Sequence, residues 1–189
     1  MIFIFLLPST LFAGYLIYLI FFWQWKKSCQ PMFNGDTPII IGHRGSPTIV
    51  TENTIPSFKK AIDQGVEGLE LDVRLTKDKQ IVVFHDATLK RLSDRDEAIS
   101  DLSLTELQSV KLHKQEGQTE DVYIPSLNDM VHLLHEVKVI NIEIKSEGLF
   151  KGHYILKPLI KFLNKHLIDN KCIVSSFNPL ILMRLRLQR

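Results

Sequence analysis

The sequence predicts an α/β fold, a parallel sheet with helices outside it in the manner of a TIM (β/α)8 barrel, preceded by one transmembrane helix. Three observations carry this expectation. After residue 37, short apolar runs alternate with stretches of helical spacing. Five such strand–helix units fill about 150 residues, roughly 30 each, so a ring of eight would need about 240–250 and only about five of the eight are present. Finally, all 44 charged residues (23 Lys and Arg, 21 Asp and Glu) of the 189-residue chain follow residue 25, whereas 20 of the first 25 positions are apolar and none is charged.

From Ile2 to Trp25 the chain is rich in Ile, Leu and Phe. At about 1.5 Å per residue this reaches about 36 Å, enough for a hydrocarbon core of roughly 30 Å. Trp23 and Trp25 suit the interface, and Lys26 and Lys27 end the span. No basic residue precedes Lys26, and the apolar run is long for a cleaved signal peptide. Residues 1–27 are therefore expected to be an uncleaved single-pass anchor. The lysine pair favours a cytoplasmic catalytic side. Residues 28–37 (SCQPMFNGDT) read as a polar linker, and residues 38–189 as the partial barrel domain.

Within that domain the spacing predicts strands at Pro38–Ile41, Glu67–Val73, Gln80–Phe84, Val139–Ile144 and Cys172–Ser175. Helical spacing covers Thr54–Gln64 with Asn53 or Thr54 as its cap, then Leu104–Val110, Leu127–Val137 and Leu149–Leu167. A last helix starts at Pro179, and no Gly, Asn or Pro stop signal follows it before Arg189, so the chain reads as C-terminally truncated. A net charge of +2 excludes a disordered polyelectrolyte and gives no push toward nucleic acid. Two cysteines cannot form a disulfide framework.

The polar residues on the strands are the informative ones. In EGLELDV (Glu67–Val73), Glu70 and Asp72 lie two apart and share a face, with Leu69, Leu71 and Val73 opposite. In VINIEIK (Val139–Lys145), Glu143 and Lys145 share a face likewise. A buried parallel strand is normally apolar throughout, so these carboxylates call for a cation or water. His43-Arg44 follows the first strand and His85-Asp86 the third, so four strands end in ionisable groups on what is the functional face of an α/β barrel. Three carboxylates offer hard oxygen ligands suited to one divalent cation, Mg²⁺ or Ca²⁺. Arg44 and Lys145 supply positive charge for a phosphate, and two histidines can divide acid and base roles. Together these parts describe phosphodiester cleavage. An enolase-like site would also use three carboxylates and a lysine, but it leaves both histidines and Arg44 without a role.

The runs HRG (His43–Gly45), ENT (Glu52–Thr54), GLELDV (Gly68–Val73), TKD (Thr76–Asp78), HDATLKR (His85–Arg91), IPSL (Ile124–Leu127), EIK (Glu143–Lys145) and SSF (Ser175–Phe177) resemble the glycerophosphodiester phosphodiesterase family in order and spacing. The resemblance implies a TIM-barrel hydrolase that releases an alcohol and sn-glycerol 3-phosphate with a divalent cation. By position it implies His43 and His85 as the acid–base pair, Glu70, Asp72 and Glu143 as metal ligands, and Arg44 and Lys145 as phosphate ligands. Glu52 and Asn53 are expected to brace the first loop, with Glu52 a partner for Arg44. Ser175 and Ser176 are open between the pocket and packing. The remaining histidines (113, 132, 135, 153 and 166) read as surface residues. A lysophospholipase D acting on membrane lysophospholipids is the neighbouring expectation, and an inactive tethered fragment the non-enzymatic one.

Overall fold

The computed structural model describes residues 3–22, 38–148 and 152–188. Two compact units emerge, residues 1–34 and 35–189. The described part of the first is helix α1 (Phe3–Phe22), uncharged along its length. Among the described residues, no helix is long and apolar enough to cross a membrane. The anchor expected over residues 1–27 therefore gains no support, and Trp23 to Lys27, which were to end the span and orient it, lie outside the described residues. So does the linker, residues 28–37.

The second unit is built on strands β1 (Ile41–His43), β2 (Gly68–Leu75), β3 (Ile81–Val83), β4 (Val139–Ile144) and β5 (Cys172–Ser175). Four of them are parallel, in the order β1-β2-β4-β5. Leu69, Leu71 and Val73 of β2 and Ile140, Ile142 and Ile144 of β4 bury one face against helices α2 (Ile55–Asp63), α4 (Val131–Glu136), α5 (Leu156–His166) and α6 (Pro179–Leu187). Such burial contributes about 1.5–3 kcal/mol per large aliphatic side chain. Local chemistry agrees with this arrangement. Thr54 caps α2, accepting from the Ser57 amide, with Pro56 in the first turn. Asn178 caps α6 ahead of Pro179.

Two expectations are corrected. The Gln80–Phe84 run is no third parallel strand: β3 pairs antiparallel with the end of β2, Val73 opposite Val83 and Leu75 opposite Ile81. Only Thr76–Gln80 connects them, and a parallel crossover needs a dozen residues or more, so a hairpin is forced. The described sheet thus holds four parallel strands of barrel type, not five units. The following segment also has its own apolar core, in which Phe84, Leu89, Ile99, Leu107, Leu112 and Ile124 pack together. Within it the short helix α3 (Leu104–Gln108) starts with a capping box made by Ser103 and Glu106. This small lobe runs from the β2–β3 hairpin to the chain entering α4, and it carries the HDATLKR run.

Candidate active site

Sheet register assembles the site. His43 at the end of β1 lies opposite Glu70 of β2, and Asp72 lies opposite Glu143 of β4, which in turn faces Ser175 of β5. Glu70, Asp72 and Glu143 converge so that one carboxylate oxygen from each lies within 4.8 Å of the others. Asp72 is fully buried and Glu70 nearly so.

The turn after β1 is folded to serve this cluster. Arg44 takes a left-handed conformation (φ 57°), followed by Gly45 at φ 87°. A Cβ on Gly45 would come 2.5 Å from Ser57 Oγ and 2.6 Å from its carbonyl carbon, so only glycine lets the turn close on α2. The Arg44 amide donates to both the carbonyl and Oε2 of Glu70, each at 3.0 Å. The Arg44 side chain places Nε 3.1 Å from Asp72 Oδ2 and donates from a terminal nitrogen to Glu52 Oε1, also at 3.1 Å. Glu52 is thus the partner of Arg44 that the sequence suggested. Asn53, also left-handed (φ 55°), donates from Nδ2 to Asp72 Oδ2 at 2.9 Å and accepts from the Asp72 amide at 3.2 Å. It braces an acidic residue of the cluster directly, a closer role than bracing the loop.

Lys145, after β4, approaches Asp72 Oδ1 to 3.0 Å and donates to Glu143. His43 Nε2 lies 3.9 Å from Glu70 Oε2, and its side chain is largely exposed. His85 follows Phe84, whose amide donates to the Asp72 carbonyl at 2.9 Å. Its Nδ1 is 2.6 Å from Asp86 Oδ1. Burial raises the Asp86 carboxyl, but hydrogen bonds from Arg91 and His85 outweigh it and hold the group below its ordinary range. An ionised Asp86 only accepts, so His85 Nδ1 carries the proton and Nε2 is the nitrogen without it.

Burial, and then repulsion from Asp72 and Glu143, push Glu70 up to about 7. Its buried Oε1 has no hydrogen-bond partner among the described residues, and Asp72 Oδ1 faces Lys145 without hydrogen-bond geometry. Three crowded carboxylates, two of them with an unsatisfied buried oxygen, are the donor set of a hard divalent cation, so the residues present fit Mg²⁺ or Ca²⁺.

Sequence reasoning passed over Arg74, although it shares the face of Glu70 and Asp72 by the same alternation. Its Nε donates to the His85 carbonyl at 2.9 Å, with Glu147 at 3.6 Å. It also lines, with Lys145, Ser146 and Phe177, a cleft of about 250 Å³ at the ends of β4 and β5. Ser175 and Ser176 donate to Asn141 Oδ1 and the Ile144 carbonyl, and Ser176 also lines that cleft. Of the remaining histidines, 113, 132 and 135 are exposed as expected; His153 and His166 are half-buried instead, His166 against Phe162.

Fold and site together define one polar face: an acidic triad with Arg44 and Lys145 at the carboxyl ends of parallel strands, His43 at the end of β1, and His85 just after the antiparallel β3. Residues 43–189 match the glycerophosphoryl diester phosphodiesterase family, and the chain belongs to it. It is 37% identical over 142 residues to a glycerophosphodiester phosphodiesterase of Caldanaerobacter subterraneus, covering 74% of this chain and 58% of that one. It is 39% identical over 114 residues to a mouse lysophospholipase D, covering 56% and 35%. Among solved structures, an Oleispira antarctica phosphodiesterase in complex with the product sn-glycerol-3-phosphate superposes with a TM-score of 0.68 at 30% identity, covering 77% of this chain and 60% of that one. A Silicibacter pomeroyi structure at 19% identity and TM-score 0.71, covering 83% and 63%, supports the fold alone. The chain thus spans about three fifths of the length of the bacterial relatives it matches.

Proposed function

We propose that this chain carries the metal- and proton-handling groups of an enzyme that hydrolyses glycerophosphodiesters to an alcohol and sn-glycerol 3-phosphate. The observation that carries this reading is the convergence of Glu70, Asp72 and Glu143 with Arg44, Lys145 and the two histidine-bearing strand ends. Once Glu70 ionises, three carboxylates against two fixed cations leave one negative charge, which a phosphate anion would not approach unaided. Glu70, Asp72 and Glu143 would hold a divalent cation, which would bring the missing positive charge and Lewis acidity toward the phosphoryl oxygens. Arg44 and Lys145 orient the phosphate. One of His43 and His85 takes a proton from the attacking water as its oxygen bonds to phosphorus. The other delivers a proton to the alcohol oxygen as the P–O bond breaks.

The test is product analysis with glycerophosphocholine and lysophosphatidylcholine side by side. Release of choline and glycerol 3-phosphate from the first is the expected result. Preference for the second would favour the lysophospholipase D reading, which the mouse relative and the apolar α1 support. No turnover of either would favour an inactive tethered fragment.

Membrane placement of the catalytic part rests on the uncharged run Ile2–Trp25 and on α1, whose Leu11, Phe12, Tyr15, Ile17 and Tyr18 are all exposed. Residues 1–27 are expected to keep the chain in the pellet through alkaline carbonate extraction. Release into the supernatant would remove the anchor, and with it the cytoplasmic orientation inferred from Lys26 and Lys27.

A further inference from the structure

We propose that Arg91 is a positioning residue, a clamp that ties the loop carrying Arg44 to the loop carrying His85. The inference rests on the histidine-based reading above and deepens it. Arg91 takes the carboxylate of Glu52 with two nitrogens, at 3.1 Å to Oε2 and 2.6 Å to Oε1, and donates from Nε to Asp86 Oδ2. Glu52 Oε1 also holds Arg44, and Asp86 Oδ1 holds His85 Nδ1. An unbroken series of charged contacts therefore runs Arg44–Glu52–Arg91–Asp86–His85, from the Asp72 carboxylate that Arg44 touches to the imidazole.

Chemistry favours arginine at this point. The guanidinium is planar and presents donors in two directions at once, so one side chain serves two carboxylates with fixed geometry; an ammonium is a point charge on a flexible stem. Both carboxylates are held in the accepting form. Burial raises Glu52, but hydrogen bonding and charge from Arg91, with a further contribution from Arg44, bring it below its ordinary value, and Asp86 behaves likewise. Glu52 is 13% exposed, whereas the Arg91 side chain is 46% exposed. An exposed ion pair adds little to global stability. The effect of Arg91 is therefore geometric: it fixes the rotation of Asp86, and through Asp86 the tautomer and ring orientation of His85.

The experiment uses the full chain as Arg91→Lys and Arg91→Met, with ¹⁵N-labelled histidine. The His85 ring resonances are assigned from a His85→Gln variant, and kcat and KM are measured with glycerophosphocholine. In the unsubstituted chain His85 is expected above neutral pH as the Nδ1–H tautomer. Both variants should shift toward a tautomer mixture. Turnover should fall about tenfold or more, as for a small misplacement of a reacting group, with KM within about threefold. The thermal midpoint should move by no more than about 2–4 °C. A structural role alone would move the midpoint and leave the tautomer unchanged. An unmoved His85 tautomer in both variants, or unmoved kcat in an active protein, overturns the clamp. If the unsubstituted chain turns over nothing, the functional reading fails on its own, and the tautomer comparison still decides whether Arg91 positions His85.

Discussion

Exhaustive chelation is expected to abolish release of glycerol 3-phosphate, and added Mg²⁺ or Ca²⁺ to restore it. The reason is the charge state of the acidic cluster. Glu70, Asp72 and Glu143 are packed within 4.8 Å of one another, and burial together with repulsion from Asp72 and Glu143 works against ionisation of Glu70. Arg44 and Lys145 compensate part of that charge, but in the proposed reaction they are also the groups that receive the substrate phosphate. Without a divalent ion the carboxylates compete with the phosphate for both cations. Binding should also be visible without substrate. A ligand that binds only the folded chain stabilises it by about 2.7 kcal/mol at a concentration of one hundred times its Kd, so Mg²⁺ or Ca²⁺ should raise the thermal midpoint. Asp72→Asn should suppress that rise, because it removes the carboxylate charge that Arg44, Lys145 and Asn53 all hold in place. Undiminished turnover after chelation would remove the metal from the reading.

Replacing His43 or His85 with alanine is expected to lower turnover by about 10²–10⁴, equivalent to about 3–5 kcal/mol of transition-state stabilisation. The fold should persist in both variants. His43 ends β1 with its side chain largely in solvent, and neither ring belongs to the apolar cores. The two losses should also differ in kind. His85 is held through Asp86 with Nε2 presented, whereas His43 stands 3.9 Å from Glu70 with no closer ion-pair partner among the described residues. His43→Ala should therefore leave the His85 ring resonances in place. A His85→Ala protein with near-normal turnover would take that residue out of the proton transfers.

Much of the fold was legible because period-two and helical spacing are local properties. Strands β4 and β5 fall where their apolar runs predict, and α2 starts at the Thr54 cap. The β2–β3 hairpin was misread although its signal was present: the run Gln80–Phe84 looks like any buried strand, and only the five-residue connection from Thr76 to Gln80 excludes a parallel crossover. The second core was not legible as a core. The strand run holding Val82 and the helical spacing holding Leu107 could be read one by one, but most other members lie in irregular chain, and they become a cluster only when the loops fold back.

The site divides along the same line. Alternation along two strands was enough to place Glu70 with Asp72 and Glu143 with Lys145, and the same rule would have added Arg74. Those side chains are positioned by the strand that carries them. What only the tertiary structure decided is which groups hold them: Asn53 on Asp72, Arg74 on the His85 carbonyl, and Arg91 between Glu52 and Asp86. Arg91 and Glu52 are 39 residues apart on different loops. No periodicity connects such positions, because their meeting depends on the path of two irregular segments over the sheet.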